Sequence, residues 1–262
     1  MTEPGVMFRK DAVAIVTGAG PGMGRAIAIG FAEHGVDVVL AARRRERLDA
    51  VADEIRALGR EPLVVPTDLA RADDCHSVIE QAMERFGRLD HVVQNGHHPG
   101  DWMRVADADP EVWKQIFDVN FFGAMHLIQG ASRVMTEGSS IVLVNSGAAL
   151  RNPPTMGAYA ASKAALASLV RTAALELGPT TRVNGVFLGP VTGESLESGA
   201  EATARAQGIT VEEFFRARAQ DLPIRQIPTP EQCAGSVLFF ASEMAAPVTG
   251  QHLSVNGGQW VT

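Results

Sequence analysis

Short runs of apolar residues alternate with longer amphipathic stretches along almost the whole chain. The short runs are rich in valine and leucine and lack the polar–apolar alternation of a strand with one exposed face. Strands that are buried on both faces have this continuous apolar character. The pattern therefore predicts strands over residues 13–16, 36–41, 63–65, 91–93, 141–144 and 183–188, and a last strand over residues 252–255.

The amphipathic stretches between these strands carry apolar residues at helical spacing. One of them repeats an apolar residue every three or four positions, at Leu48, Val51, Ile55 and Leu58. Such stretches predict helices over residues 23–33, 46–58, 74–86, 111–133 and 158–177. Because strands and helices alternate regularly, we expect an α/β fold with a doubly wound parallel sheet between two helical layers. The length favours a single domain over residues 1–262.

The segment from residue 189 to residue 228 interrupts this alternation. It is bounded by glycine and proline and contains shorter helical patterns. Long connections in compact domains often form lids or binding loops, so we predict that this segment covers a substrate. Phe214, Phe215 and Leu222 are the side chains expected to close over an apolar ligand. The alternative is a helical insertion that packs on the sheet without a binding role.

The composition describes an ordinary globular chain with an acidic balance. Hydrophobic residues make up 46% of the 262 residues and charged residues 20%, which is enough apolar content for a sizeable core. The formal net charge of −7 argues against nucleic acid or an anionic membrane as the main partner. No apolar run approaches the roughly 18 residues of a membrane span, so no membrane segment is expected.

The cysteines and the first residues indicate a cytoplasmic protein. Cys75 and Cys233 lie far apart and form neither a CxxC motif nor a metal-ligand spacing, as is usual in a reducing compartment. The first apolar run, over residues 12–16, is too short for a secretion signal. We therefore expect a cytoplasmic location.

A glycine-rich loop follows the first predicted strand and leads into the first predicted helix. Its sequence is VTGAGPGMG, in which Thr17, Gly18, Gly22 and Gly24 form the pattern TGxxxGxG. Glycines let the backbone approach a pyrophosphate, and the N-terminus of the next helix offers free N–H groups to it. The loop, with Met23 at the start of the helix, therefore predicts a dinucleotide site. A tight structural turn is the alternative.

The end of the second predicted strand bears on which dinucleotide binds. An acidic residue here would bind the ribose hydroxyls of NAD, whereas an arginine can accept the 2′-phosphate of NADP. This chain has Ala42 at that place, followed by Arg43, Arg44 and Arg45. Guanidinium groups bind phosphate with paired hydrogen bonds, so Arg43 and Arg44 favour NADP(H) over NAD(H). Arginines on a solvated helix N-terminus are the alternative.

The single tyrosine of the chain lies one helical turn from one of its three lysines. Tyr159 and Lys163 fall within the predicted helix 158–177 and share one face of it. A free phenol has a pKa near 10, and lowering this pKa to about 7 requires roughly 4 kcal/mol from the site. A neighbouring ammonium stabilises phenolate, so the pair predicts a general acid or base for carbonyl or alcohol chemistry.

The order of the two motifs, TGxxxGxG and then YxxxK, makes the chain resemble the short-chain dehydrogenase/reductase family over roughly residues 10–260. The resemblance implies a Rossmann-type fold and an NAD(P)-dependent oxidoreductase that forms a homotetramer or homodimer. It also implies that Ser146 and Asn120 complete the catalytic set. Ser146 would polarise the substrate oxygen, and Asn120 would hold a water that relays protons to Lys163. Cofactor contacts implied by the family pattern are Asp68, Leu69, Asn95, Gly96, Tyr159, Lys163, Val191 and Thr192.

Asn120 also stands out by its position in the predicted helix 111–133. The apolar face of that helix includes Ile116, Phe117, Ala124 and Leu127, and Asn120 falls on the same face. A buried amide is stable only when its hydrogen bonds are satisfied. The alternative to a catalytic role is a structural asparagine bonded to the main chain.

Two segments depart from the family pattern. The sequence QNGH stands at residues 94–97, where relatives usually have NNAG, and the proline after the sixth strand is displaced to Pro190. Loops at the carboxyl ends of strands line the crevice of such sheets, so His97 and His98 are candidates for contacting the substrate or the nicotinamide ring. Adjacent histidines with no third ligand nearby do not suit a metal, so we expect no metal site.

Together these features predict an enzyme that transfers a hydride between NADP(H) and a ketone or secondary alcohol of an apolar small molecule. A cyclic ketone, a steroid or an acyl chain each fits the apolar side chains of the predicted lid. The alternatives are the same chemistry with NAD(H), or a cofactor-binding module that has lost catalysis. The presence of both Tyr159 and Lys163 argues against the silent module. Epimerases and dehydratases on a related fold usually carry a larger C-terminal substrate domain, so we do not expect their chemistry.

Overall fold

The computed structural model describes residues 7–261 and contains one parallel sheet of seven strands. The strands are β1 Val13–Thr17, β2 Asp37–Ala42, β3 Leu63–Pro66, β4 His91–Gln94, β5 Ser139–Ser146, β6 Thr181–Leu188 and β7 His252–Val255. Their order in the sheet is β3-β2-β1-β4-β5-β6-β7, with every neighbouring pair parallel. The chain order reverses between β1 and β4, so the predicted doubly wound sheet is confirmed.

The described residues form ten α-helices, most of which connect one strand to the next. They are α1 Met23–Glu33, α2 Arg45–Ala57, α3 Ala72–Phe86, α4 Pro110–Phe117, α5 Gly123–Ala131, α6 Ala148–Arg151, α7 Gly157–Leu177, α8 Glu194–Gln207, α9 Val211–Gln220 and α10 Pro230–Ala241. Short 3₁₀ turns occur at Val105–Asp107 and Glu243–Ala245, and a π-helical turn at Asp118–Phe122. No helix in this described part of the chain is long and apolar enough to cross a membrane.

The two faces of the sheet bury separate apolar cores, which explains the continuous apolar runs. In β1, Ala14 and Val16 belong to the core shared with α1, α2 and α10. Val13 and Ile15 belong to the core shared with α3, α5 and α7. Successive side chains of a strand point to opposite faces, so a strand that is covered on both sides is apolar throughout. The three-layer α/β prediction is therefore confirmed.

Strands β5 and β6 begin earlier than their apolar runs predict. Their first residues, Ser139, Ser140 and Thr181, are polar but buried. The Ser140 hydroxyl donates to the carbonyl oxygen of Ala241 at 3.2 Å and lies 2.9 Å from Nδ1 of His91. Polar groups that find partners in this way can occupy a buried strand, and hydrophobic periodicity does not reveal them.

The single helix predicted over residues 111–133 is wrong: α4 and α5 are separated by the π-helical turn Asp118–Phe122. Asn120, in the middle of this turn, is fully buried and hydrogen-bonded to the main chain of His98. A π turn accommodates one extra residue and re-aims the side chains that follow. The hydrogen bonds between Asn120 and His98 thus occur at the point where the regular helix, which the apolar periodicity predicted to be continuous, is interrupted.

The hydrophobic pattern also misses α10, although its start carries a capping signal. The Thr229 hydroxyl oxygen accepts from the Gln232 N–H at 3.3 Å, and Gln232 Oε1 accepts from the Thr229 N–H at 2.9 Å. Pro230 occupies the first turn, where its missing N–H has no helical partner to lose. Apolar residues, among them Val237 and Leu238, are buried on α10, and the helix lacks a strongly polar face. An amphipathic period is therefore weak in this segment.

The segment over residues 189–228 folds largely as α8 and α9. A two-armed ion pair ties α8 to α2, because two guanidinium nitrogens of Arg47 each lie 3.0 Å from a carboxylate oxygen of Glu194. Leu222, which the sequence places over a ligand, is instead buried beside Gly257. The main chain near Leu222 is tied to the same place, because the Ile224 N–H donates to the Gly257 carbonyl oxygen at 3.4 Å.

Candidate active site

The predicted site residues follow the carboxyl ends of β1, β4, β5 and β6, along one edge of the sheet. Thr17 ends β1, Gln94 ends β4 and Ser146 ends β5. In a doubly wound sheet, the crevice for ligands opens where the strand order reverses, here between β1 and β4. The glycine loop follows β1 and the QNGH segment follows β4, so both border this crevice.

Thr17 joins the glycine loop to the segment after β4. Its hydroxyl oxygen accepts hydrogen bonds from the main-chain N–H groups of Asn95 at 3.1 Å and Gly96 at 3.3 Å. The side-chain amide of Asn95 in turn donates to the carbonyl oxygen of Gly18 at 3.1 Å. These hydrogen bonds bring together four residues that are predicted to bind the cofactor. Two of the four, Thr17 and Asn95, lie 78 residues apart in the sequence.

Two glycines of the loop are required by space. Gly18 has a φ of +63°, and a Cβ on it would lie 2.6 Å from Cα of Gly96. A Cβ on Gly24, in the first turn of α1, would overlap the carbonyl oxygen of Gly18. At Gly20, by contrast, a Cβ would meet the side chain of Arg47 at an ordinary 3.8 Å. The absence of side chains at Gly18 and Gly24 therefore allows the loop its close packing.

The N-terminus of α1 is open to an anion. Gly22 occupies the cap position, no side chain caps the helix, and the first turn contains no acidic residue. The first N–H groups of a helix carry partial positive charge and need an acceptor. A dinucleotide pyrophosphate would satisfy them, so the glycine loop and Met23 fit the predicted cofactor.

Alanine at Gly24 is expected to weaken NADPH binding by about 10- to 100-fold, because its methyl group would displace the Gly18 carbonyl. The dissociation constant can be measured by NADPH fluorescence. Gly20→Ala is the matched control in the same loop, and it should stay within about threefold of the wild type because its methyl group has room. Equal effects of the two substitutions would contradict this steric account.

The residues predicted to bind the adenosine end follow β2 and β3. Arg43 and Arg44 come directly after β2, and both are exposed. Asp68 follows β3, and its Oδ1 accepts a hydrogen bond from the N–H of Ala70 at 3.1 Å. Leu69 is buried next to it. Two exposed cations and a partly engaged carboxylate therefore border the predicted adenosine site.

Tyr159 and Lys163 lie on α7, next to the end of β5. The Lys163 nitrogen is 5.9 Å from the centroid of the Tyr159 ring, and it donates to the carbonyl oxygen of Val144 at 3.0 Å. Ser146 lies close enough to the Tyr159 hydroxyl to lower the pKa of the phenol. The predicted serine, tyrosine and lysine therefore form one cluster.

Burial shifts both groups of the pair towards their neutral forms. Lys163 is 2% exposed, and burial lowers its pKa to about 7. Burial also raises the pKa of Tyr159, against the lowering effect of the nearby Ser146 hydroxyl. The sequence predicts the opposite direction for the Tyr159 pKa. The difference arises because a lysine with a pKa near 7 is only partly charged at neutral pH and so supports phenolate weakly.

The side chain of Asn120 is hydrogen-bonded to the loop after β4, which passes next to Tyr159. Its Oδ1 accepts from the N–H of His98 at 2.7 Å, and its Nδ2 donates to the His98 carbonyl at 3.1 Å and to the Ser162 hydroxyl at 3.0 Å. These bonds hold the loop after β4 against α7, as the structural alternative requires. None of the three reaches Lys163, so a water relay between them stays a prediction.

His97 and His98 are adjacent but have different surroundings. Nδ1 of His98 accepts a hydrogen bond from the Gly100 N–H at 3.1 Å, so this ring shapes its own loop. The His97 ring approaches Tyr159 instead, with centroids 6.1 Å apart and planes inclined by 62°. The described residues include no group of three or more His, Cys, Asp or Glu side chains placed to hold a metal ion.

The two phenylalanines predicted to contact substrate lie together on α9. Phe215 lines a cavity of about 440 Å³ together with Thr192, which the sequence assigns to the cofactor. Phe214 packs against Phe215, with ring centroids 5.8 Å apart. The N–H of Thr192 donates to the Pro228 carbonyl at 3.0 Å, so the loop that carries Val191 and Thr192 is held near this cavity.

Two further contributions to the site were missed by reasoning from the sequence. Trp260 packs on Gly147, the residue after Ser146, so closely that a Cβ on Gly147 would overlap the indole ring. The side-chain amide of Asn145 donates to the carbonyl oxygen of Lys163 at 3.0 Å and holds α7 to β5. A polar residue at the end of a buried apolar strand was a usable signal for Asn145, whereas no local signal exists for Trp260.

The sequence of this chain is similar to a protein-family model and to characterised oxidoreductases. A family model described as enoyl-(acyl carrier protein) reductase matches residues 18–259. The chain is 35% identical to L-rhamnose 1-dehydrogenase (NAD(P)(+)) of Sphingomonas sp. strain SKA58, over 94% of this chain and 95% of that protein. It is 33% identical to the 7alpha-hydroxysteroid dehydrogenase of Escherichia coli strain K12, over 96% and 98% of the two chains.

Solved structures show the same likeness in three dimensions. One is the crystal structure of L-sorbose reductase from Gluconobacter frateurii complexed with NADPH and L-sorbose. It matches this chain with a TM-score of 0.91 and 28% sequence identity, over 98% of this chain and 99% of that chain. The likeness therefore extends over the whole crevice described above.

Proposed function

We propose that this chain, which belongs to the short-chain dehydrogenase/reductase family, transfers a hydride between NADP(H) and a ketone or secondary alcohol of an apolar small molecule. Family membership makes it an NAD(P)-dependent oxidoreductase of alcohols and ketones. The proposal adds the preference for NADP(H), the apolar substrate and the role of Tyr159 as general acid or base. The observation that carries it is the cluster of Ser146, Tyr159 and Lys163 at the crevice.

The residues around the glycine loop fit a nicotinamide dinucleotide. The absence of side chains at Gly18 and Gly24 lets the loop pack closely against Gly96 and α1, and the uncapped N-terminus of α1 offers donors to a pyrophosphate. Arg43 and Arg44 would hold the 2′-phosphate, and Lys163 the nicotinamide ribose. The bound cofactor supplies or accepts the hydride, and the protein supplies position, proton and electrostatics.

Tyr159 would give a proton to the substrate oxygen in ketone reduction and take it back in alcohol oxidation. Its raised pKa keeps the phenol protonated at neutral pH, which suits proton donation. Ser146 Oγ accepts a hydrogen bond from the Ala148 N–H at 3.2 Å, so the serine hydrogen remains available to a substrate oxygen beside Tyr159. Lys163 would stabilise the phenolate after proton transfer.

An apolar substrate is supported by side chains along the crevice. The segment with α8 and α9 would act as a lid over the crevice. The cavity of about 440 Å³ beside Phe215 is lined by none of Ser146, Tyr159 and Lys163 and also contains charged side chains, so the apolar residues after β4 carry more weight. Trp102 and Met103, in the loop after β4, are 60% and 43% exposed. Large apolar side chains that are left exposed near a site often contact a ligand. Among the relatives, the Escherichia coli enzyme is named for a 7alpha-hydroxysteroid.

A panel of ketones and secondary alcohols, offered with each cofactor, tests the proposed function. We expect NADPH-dependent reduction of at least one cyclic or polycyclic ketone, measured as loss of NADPH absorbance. Tight NADPH binding without turnover of any compound would support the cofactor-binding module without catalysis instead.

Replacing Arg43 and Arg44 together by alanine is expected to weaken NADPH binding by about 10- to 100-fold, because charge-assisted bonds to the 2′-phosphate are lost. NADH binding should change by less than about threefold, since NADH lacks that phosphate. Arg45→Ala is the control, because Arg45 pairs with Asp49 at 3.7 Å. A wild-type preference for NADH would contradict the assignment and favour the NAD(H) alternative.

We also infer a homotetramer or homodimer in the cytoplasm. Leu175 on α7 is 85% exposed, and Leu253 on the edge strand β7 is also exposed. Exposed apolar side chains on a long helix and on a sheet edge suit contacts between copies of the chain. Cys75 and Cys233 are buried and unpaired, as suits a reducing compartment.

A further inference from the structure

The loop after β4 holds His97 between two anchored stretches of main chain. On one side, the N–H of Asn95 donates to the Thr17 hydroxyl at 3.1 Å. On the other, the N–H and the carbonyl of His98 are bonded to the Asn120 side chain, at 2.7 and 3.1 Å. Because its neighbours are fixed on both sides, the position of the His97 main chain over the site is well defined.

The imidazole of His97 borders the group that would exchange the proton. Its centroid lies 6.1 Å from that of the Tyr159 ring, and the two planes are inclined by 62°. Gly100, farther along the loop, covers another side of this tyrosine, since a Cβ on Gly100 would lie 3.7 Å from Cβ of Tyr159. His97 is nevertheless an exposed residue, so a ligand in the crevice can reach it.

The environment of His97 favours a neutral ring with one nitrogen free to accept. Surrounding protein and the charge of Lys163 lower the pKa of His97 below that of a free histidine. A neutral imidazole has one N–H and one lone pair. A neutral His97 ring therefore offers a ligand one hydrogen-bond acceptor.

We propose that His97 determines specificity by accepting a hydrogen bond from a substrate hydroxyl on the carbon next to the reacting carbonyl carbon. The substrate class is then an α-hydroxy ketone in reduction and a vicinal diol in oxidation. Rings 6.1 Å apart are close enough for one small molecule to bond both through oxygens on adjacent carbons. The inference rests on the hydride transfer proposed above and names the substrate of that same site.

Three ketones of similar skeleton test this assignment: 2-hydroxycyclohexanone, 2-methoxycyclohexanone and cyclohexanone. The methoxy compound keeps the second oxygen but has no hydrogen to donate. We expect wild-type kcat/KM with NADPH to be about 10- to 100-fold higher for the hydroxy ketone than for the methoxy ketone, mainly through KM.

Variants of His97 distinguish the effect of its hydrogen-bond acceptor from the effect of its ring shape. His97→Phe keeps an aromatic ring beside Tyr159 but has no acceptor, so the ratio of the two kcat/KM values should fall to about one. His97→Asn offers an amide oxygen and should restore part of the ratio. His126→Phe is the control, because His126 lies on α5 and packs against His76 of α3. The ratio of the two kcat/KM values in this variant should equal that of the wild type.

Two results would overturn the assignment: a ratio in His97→Phe equal to that of the wild type, or an effect confined to the dissociation constant of NADPH. If the wild type reduces none of the three ketones, the affinities of trans-cyclohexane-1,2-diol and its monomethyl ether for the NADP⁺ complex are compared by calorimetry. A preference for the diol that His97→Phe removes supports the role of His97 even then. Equal affinities overturn it, whereas failure of the ketone panel alone counts against the proposed function.

Discussion

Phenylalanine in place of Tyr159 is expected to lower kcat for ketone reduction by about 10²- to 10⁴-fold, because the site loses its proton donor. The affinity for NADPH should stay within about threefold, since the ring keeps its packing against His97 and Gly100. NADPH absorbance measures turnover, and NADPH fluorescence measures affinity on the same preparation.

The stability of this variant distinguishes lost chemistry from lost structure. Phenylalanine removes only the hydroxyl group that lies near Ser146, so the free energy of unfolding should fall by at most about 1 kcal/mol. Ser146→Ala, which removes a donor to the substrate oxygen and keeps the phenol, should lower kcat by about 10²-fold. Near-normal turnover by folded Tyr159→Phe would contradict the proposed mechanism.

Methionine in place of Lys163 is expected to reduce turnover by about 10²- to 10³-fold and, at the same time, to stabilise the fold. Methionine has no charge to stabilise the phenolate that proton transfer leaves, and removing one preorganised electrostatic group typically costs about 10²- to 10³-fold in kcat. Burial lowers the Lys163 pKa from 10.5 to about 7, which corresponds to roughly 5 kcal/mol of stability lost when the lysine is charged. Leaving the Val144 carbonyl without its donor costs about 1–3 kcal/mol, so a net gain of about 2–4 kcal/mol remains.

The dependence of this gain on pH identifies its cause. Above the unfolded pKa of 10.5, the lysine is neutral in both states and its burial has no charge penalty. Between pH 10.5 and about 7, the unfolded chain binds a proton that the folded protein does not, so wild-type stability falls as the pH falls. Below about pH 7 the loss is complete. The advantage of Lys163→Met in urea unfolding should therefore be largest near pH 6 and shrink towards pH 10.

Lys114→Met is the matched control for this experiment. Lys114 is exposed and pairs with Glu111 at 2.8 Å, so its replacement should change neither turnover nor the pH dependence of stability. A Lys163→Met variant that is less stable than the wild type at every pH would assign the lysine a structural role. Normal turnover by that variant would contradict its role in tuning Tyr159.

Much of the fold could be predicted because its signals are local. Helix α1 and strand β7 have the predicted bounds, since an apolar run with glycine or a charge at its ends is readable within a few residues. The prediction of one helix over residues 111–133 was wrong at its centre, where the π-helical turn lies. Asn120 in that turn is hydrogen-bonded to His98, and the apolar periodicity of the helix gives no sign of this contact. The hydrophobic pattern did not predict α10 because this helix lacks a strongly polar face.

The candidate site divides in the same way. Gly18 and Gly24 could be assigned from a fixed spacing in one loop, and Tyr159 and Lys163 from one turn of a helix. The segment over residues 189–228 was recognisable as a long connection, but its tie to α2 through Arg47 and Glu194 spans 147 residues and has no local signal. Its role as a lid stays a prediction.

The sequence by itself determined the doubly wound sheet, the glycine loop and the tyrosine–lysine pair, because each follows from residues within one strand, one turn or one loop. Only the tertiary structure decided that Lys163 is buried with a pKa near 7, that the pKa of Tyr159 is raised, and that His97 approaches the tyrosine. These properties depend on desolvation and on partners from distant parts of the chain, whose energies exist only once folding has brought the groups together.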